Sequence, residues 1–239
     1  MFAIYKKEMK VLFTTLEAYI AISVFFIVNG LILWYIPSDF NIFYNNKATL
    51  LPFFSIAPWV LLFLIPAITM KMVSSEIIQR THLILFTKSV KKSEIIGAKF
   101  LASFTIGTIA ILPSLVFVYS IYHLSNPIGN IDQGELIGSY IGMTLLVALY
   151  SSIGLFCSTI SKNPMISFIS TVIMILTLYF FFDFLVYIYN VPLLEYLSVE
   201  FHYESISRGV IDTRDIIYFA SLTILFLYFS IIAIDRESI

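Results

Sequence analysis

Six long apolar runs constrain this chain more than any other feature. They are Ala18–Ile36, Phe53–Met70, Phe100–Tyr122, Leu136–Ile160, Met165–Tyr189 and Ile216–Ile234, and each holds 18 to 25 residues. About 20 apolar residues of α-helix cross the hydrocarbon core of a bilayer. Together the runs occupy 129 of 239 residues, which leaves little chain for a soluble domain. Helices that are apolar on every side cannot all be hidden inside a water-soluble fold of this size, whereas lipid tolerates them. Backbone polar groups in lipid must be satisfied within a helix or a closed barrel, and runs of this length specify helices. The chain is 59% hydrophobic and 12% charged, far from the roughly 25% charged residues of a soluble domain. The expectation is an all-α polytopic membrane protein, residues 1–239 forming one transmembrane domain.

Lysine and arginine set the orientation. With six spans, Lys6, Lys7, Lys10, Lys71, Arg80, Lys88, Lys91, Lys92, Lys99, Lys162 and Arg236 fall on one side. Lys47, Arg208 and Arg214 fall on the other. The ratio predicts that both termini face the cytoplasm. Asp39, Asp132, Glu135, Glu195, Glu200, Glu204, Asp212 and Asp215 then lie outside. The net charge of −1 gives no electrostatic case for nucleic acid.

Three pieces lie outside the spans. Residues 2–16 mix Phe2, Ile4, Tyr5, Met9, Leu12 and Phe13 with Lys6, Lys7, Glu8 and Lys10, the pattern of a helix lying in the membrane interface. The apolar run behind it is too long for the core of a cleaved signal and reads as a first span. Residues 71–99 form the longest connection on the basic side. Residues 190–215 carry Tyr196, Leu197, Val199, Phe201 and Tyr203, too apolar for a solvated loop. They are expected to pack back on the outer leaflet or on the helix bundle.

The chain holds no Gly-Lys dipeptide and so no phosphate loop; nor has it a G-x-S-x-G, an H-E-x-x-H or a pair of cysteines. An ATP-driven activity therefore needs another chain to bind the nucleotide. Asp183 lies inside the fifth run, six residues before Tyr189. It reads either as an ion or proton relay or as an acid near enough to the helix end to reach water. His123 and His202 with Glu200, Glu204 or Asp132 lack any ligand spacing that would argue for a metal. The single cysteine, Cys157, is expected to pack as a small hydrophobe. Pro58, Pro66 and Pro113 interrupt spans two and three. Gly138-x-x-x-Gly142 offers a close-packing face, for this chain's own helices or for a second copy.

The order of these pieces resembles the permease subunit of ABC-2 type transporters: an N-terminal interfacial helix, six spans, a cytoplasmic coupling helix between spans two and three, and an outer segment that returns to the membrane. The stretches Ser55–Ala67, Asn126–Asp132, Gly138–Gly142 and Ser207–Asp215 resemble, more narrowly, the gliding-motility permeases of that family. The family's coupling helix reads like E-x-x-x-G-T-L-E-x-L-L-T-x-P. Here Glu76, Thr81, Leu85 and Thr87 fit, while Arg80 replaces the glycine, Leu83 the acid and Ser89 the proline.

The resemblance implies that Glu76, Arg80, Thr81, Leu83, Leu85, Phe86, Thr87 and Lys91 dock a cytoplasmic ATPase subunit. It also implies that Ser207, Arg208, Gly209, Asp212 and Arg214 build the outer re-entrant segment. It assigns no cofactor to this chain, with ATP and Mg bound by the partner ATPase. A second permease copy, or a related membrane subunit, completes the assembly in a bacterial inner membrane. Gliding motility or export is the implied role. Two other classes fit the residues alone: an ion-coupled carrier using Asp183, and a structural membrane scaffold. Carriers commonly show repeated halves, and no repeat is evident.

Overall fold

The computed structural model describes residues 1–45, 48–79, 91–189 and 191–237. Among these the chain is all helical, with no strand. In chain order the helices are α1 (Phe2–Thr14), α2 (Leu16–Trp34), α3 (Ile42–Asn45), α4 (Leu51–Thr69), α5 (Ser74–Ile78), α6 (Lys92–Ile111), α7 (Leu115–Leu124), α8 (Gln133–Ile160), α9 (Pro164–Tyr189), α10 (Val199–Ser207) and α11 (Thr213–Glu237).

Five helical segments are long and apolar enough to cross a membrane: 51–78, 92–124, 133–160, 164–189 and 213–234. A sixth is reached when α1 and α2, which meet at 65°, are counted as one broken span. The fold is thus that of a multi-pass membrane protein with five or six spans. The segments overrun the expected ones at their ends. Lys92–Leu124 has 33 residues, about 50 Å at 1.5 Å per residue, against about 30 Å of hydrocarbon. The excess carries Lys92 to Lys99 out of the apolar layer or into the shelter of other helices.

The central helix is α8, against which α4, α6, α9, α10 and α11 all pack. Its small residues allow this. A Cβ at Gly154 would stand 2.1 Å from Thr69 Oγ1, and one at Gly138 would stand 2.4 Å from the Ile206 carbonyl. Gly142 faces the Tyr203 ring. The glycine pair 138 and 142 is therefore consumed by α10 of the same chain, which decides between the two partners that its spacing allowed.

The prolines act differently from one another. Pro58 and Pro66 are accommodated within α4. Pro113 coincides with a tightened 3-10 turn, Leu112–Ser114, between α6 and α7, as expected where a missing N–H ends the regular ladder. Cys157 is buried, with its Sγ 3.9 Å from Met174 Sδ. Asp183 lies on α9, but its side chain is outside the described residues. Arg80, Thr81, Leu83, Leu85, Phe86 and Thr87 lie outside them altogether.

Candidate functional site

The lysine-rich end of the bundle is built around a charge with almost no exposure. Lys99, on α6, is 1% exposed. An ammonium has three N–H donors, and each finds an acceptor: Glu8 Oε1 at 3.1 Å, Glu76 Oε2 at 3.0 Å and the Met72 carbonyl. Lys7 closes the group, 3.1 Å from Glu76 Oε1 and 3.5 Å from Glu8 Oε1. Among the described residues two ammonium groups meet two carboxylates here, and such pairing is what burial of charge requires.

Lys7 remains about half exposed. Burial alone pulls its amine pKa down. The attraction of Glu76 and Glu8, with a hydrogen bond to each, outweighs that and leaves it above the ordinary lysine value. A pKa raised on folding adds stability that is complete below the unfolded pKa and lost as pH rises through the folded one. Solvent screening keeps that contribution small for so exposed a group.

Each member of the cluster is placed by its own element. The helix α4 ends at Thr69 and the chain turns through residues 70–73. Ser158, near the end of α8, holds this turn: its hydroxyl donates to the Met70 carbonyl and accepts from the N–H groups of Val73 and Ser74, each at 3.1 Å. The short α5 starts there and presents Glu76. On α1, Glu8 shares the inward face with Leu12 and Tyr5, and the Tyr5 hydroxyl bonds Thr105 Oγ1 of α6 at 3.2 Å. The first residues of the 71–99 segment are thus tied to the N-terminal helix and to the foot of the long α6. Of the residues proposed for docking, Glu76 is inside this cluster, its side chain 14% exposed, while Lys91 is exposed just ahead of α6.

The opposite end of the bundle holds the segment 191–215, where α10 packs on the bundle. Val199, His202, Tyr203 and Ile206 are buried. Tyr203 donates to the Phe54 carbonyl at 2.7 Å. That carbonyl would normally pair with the N–H of residue 58, but Pro58 has none, so the phenol takes the vacant acceptor. Burial holds the Tyr203 phenol well above the ordinary tyrosine pKa, which keeps it a donor. Tyr203→Phe is expected to cost about 1–3 kcal/mol, the usual penalty for a buried group left unpaired. Thermal unfolding in detergent checks this.

The stretch 207–215 is a built corner. The Ser207 carbonyl accepts from Ser139 Oγ at 3.1 Å. Gly209 has φ +86°, and a Cβ there would stand 2.7 Å from the Gly134 backbone, so only glycine meets both demands. Arg208 pairs with Glu204 at 3.0 Å on the surface. Asp212 Oδ1 accepts from the Arg214 N–H at 2.9 Å and caps α11. Ser207, Arg208, Gly209 and Asp212 thus take part in backbone bonding, pairing, a tight turn and capping, and Arg214 contributes its backbone N–H.

Two residues beside them carry more of the anchoring than sequence reasoning assigned. His202 Nδ1 lies 2.6 Å from Asp215 Oδ1, its Nε2 lies 2.9 Å from the Tyr196 carbonyl, and its ring stacks on Tyr218 at 4.0 Å. His123 is elsewhere, against Tyr119 and Tyr122. Among the described residues, no three of histidine, cysteine, aspartate or glutamate are grouped as metal ligands.

A scan against protein-family models finds no match, and no curated protein matches the chain.

Proposed function

We propose that this chain is the membrane-spanning permease subunit of an ATP-driven ABC-2 type transporter. It crosses a bacterial inner membrane six times, with both termini in the cytoplasm, α1 in the interface and a coupling helix within 71–99. It hydrolyses nothing itself: a cytoplasmic ATPase subunit binds ATP and Mg. A second copy, or a related membrane subunit, supplies the other half. Export linked to gliding motility is the role the sequence resemblance favours.

The observation that supports this reading most is the Lys99 cluster. A connection that merely joins two spans needs no buried tie to its neighbours. Here Glu76 fastens the start of the 71–99 segment to both α1 and α6, so that a push on the segment reaches two helices of the bundle. Ser158 extends the tie to α8.

The test is co-purification with a phosphate-loop ATPase encoded by a neighbouring reading frame. Leu85→Asp is expected to abolish it, because an apolar anchor at the centre of an interface matters more than charges on its rim. Lys91→Ala is expected to weaken it only slightly. A Leu85→Asp chain that inserts normally and retains the ATPase would show that this segment is not the dock.

A further inference from the structure

The outer face of α1 combines exposed aromatic rings with lysines that have no carboxylate partner among the described residues. The roll of the helix is fixed by its inner side, where Glu8 and Tyr5 bond to α6 and Leu12 is buried. At 100° per residue, this turns Phe2, Phe13 and Lys6 outward within one narrow sector, with Lys10 beside them. Phe2 is 77% exposed, and Phe13, Lys6 and Lys10 are exposed too. Where α1 gives way to α2, Leu16 and Tyr19 continue the apolar surface, with Tyr19 edge-on to Phe13 at 6.1 Å.

The direction of the helix matters as much as its roll. With α2 crossing the bilayer, a 65° bend lays α1 closer to the membrane plane than to its normal. Aromatic side chains can then enter the acyl boundary while lysines reach head-group level. Lys7 and Lys99 are neutralised within the buried cluster. Lys6 and Lys10 have no ion-pair partner among the described residues, and a zwitterionic surface supplies no net countercharge.

We propose that the exposed face of α1 is a binding surface for anionic phospholipid, with Lys6 and Lys10 taking the head-group phosphates and Phe2 and Phe13 seated in the acyl boundary. This rests on the membrane reading of the fold and not on the transporter reading. Attraction to an anionic surface is worth roughly fivefold per lysine in local lipid enrichment, and it is screened by salt.

The experiment uses the full chain carrying Cys157→Ala and Thr14→Cys, labelled at position 14 with an environment-sensitive fluorophore. It is reconstituted in bilayers of phosphatidylcholine with one quarter phosphatidylglycerol. Either the phosphatidylglycerol or an equal fraction of the phosphatidylcholine carries a nitroxide near the head group. Quenching by the anionic lipid is expected to report a severalfold higher association than quenching by the zwitterionic one. Lys6→Gln with Lys10→Gln should bring that ratio close to one, as should half-molar salt in the parent chain. Equal quenching by the two lipids in the parent chain overturns the proposal, and so does a preference that survives loss of both lysines. Absence of quenching by either lipid would place the helix off the surface and overturns it as well. None of these outcomes bears on whether Leu85 holds an ATPase.

Discussion

Lys99→Met is expected to destabilise the folded chain by about 3–5 kcal/mol, the range for removing one partner of a buried ion pair. The methionine fits the volume but takes the buried ammonium away from the carboxylates of Glu8 and Glu76, which are 8% and 14% exposed. The Met72 carbonyl also loses its donor from Lys99. Lys7→Met should cost less than about 1 kcal/mol, because Lys7 is half exposed and water replaces it. The triple variant Glu8→Gln, Glu76→Gln, Lys99→Met should recover much of the loss, since no buried charge then lacks its partner. Denaturant or thermal unfolding in one detergent, followed by size-exclusion of the fluorescently tagged chain, measures all three. Equal losses for Lys99→Met and Lys7→Met would show that the cluster is an ordinary surface network.

The cluster was partly legible in the sequence. On a helical wheel Glu8 falls on the apolar side of α1, among Ile4, Tyr5 and Leu12, where a carboxylate needs a partner. Lys99 stands among Ile95, Ile96, Ala98, Phe100 and Leu101, where an ammonium needs one too. What could not be read was that these two demands meet. The residues are 91 apart, and their encounter depends on the 65° bend after α1 and on the turn held by Ser158. Periodicity within a segment carries neither.

The spans were legible because lipid asks the same thing of every residue along them, so composition suffices. Their ends were not, because polar residues there can be sheltered by neighbouring helices. Lys92 to Lys99 read as loop and belong to α6, since Lys99 is neutralised from other elements. The glycine pair on α8 could be read as a close contact but not as a contact with α10. Pro58 read as a possible kink. In the fold it frees the Phe54 carbonyl, which Tyr203 then uses from 149 positions further along the chain.

His202→Ala is expected to release α10 from the bundle at a cost of about 3–5 kcal/mol, the range for stranding a buried charge. The hydrogen-bond inventory shows why. The Tyr196 carbonyl can only accept, so His202 Nε2 carries a proton. The 2.6 Å contact between Nδ1 and Asp215 Oδ1 then needs one more, held by the ring or by the carboxyl, and in either arrangement the pair is neutral overall. Asp215 is 4% exposed, and its Oδ2 already has no partner among the described residues. Without the imidazole its Oδ1 loses its partner as well. Asp215→Asn should be much milder, because the amide can donate to Nδ1 of the neutral ring that keeps its Nε2 proton for Tyr196. Joining Asp215→Asn to His202→Ala should therefore restore part of the stability, since the group left behind is uncharged. The readouts are unfolding in detergent and the rate of protease cleavage between residues 190 and 215 in sealed vesicles. A His202→Ala chain with parental stability and an uncut 190–215 segment would show that Tyr203, Ile206 and the Gly209 corner hold α10 without this pair.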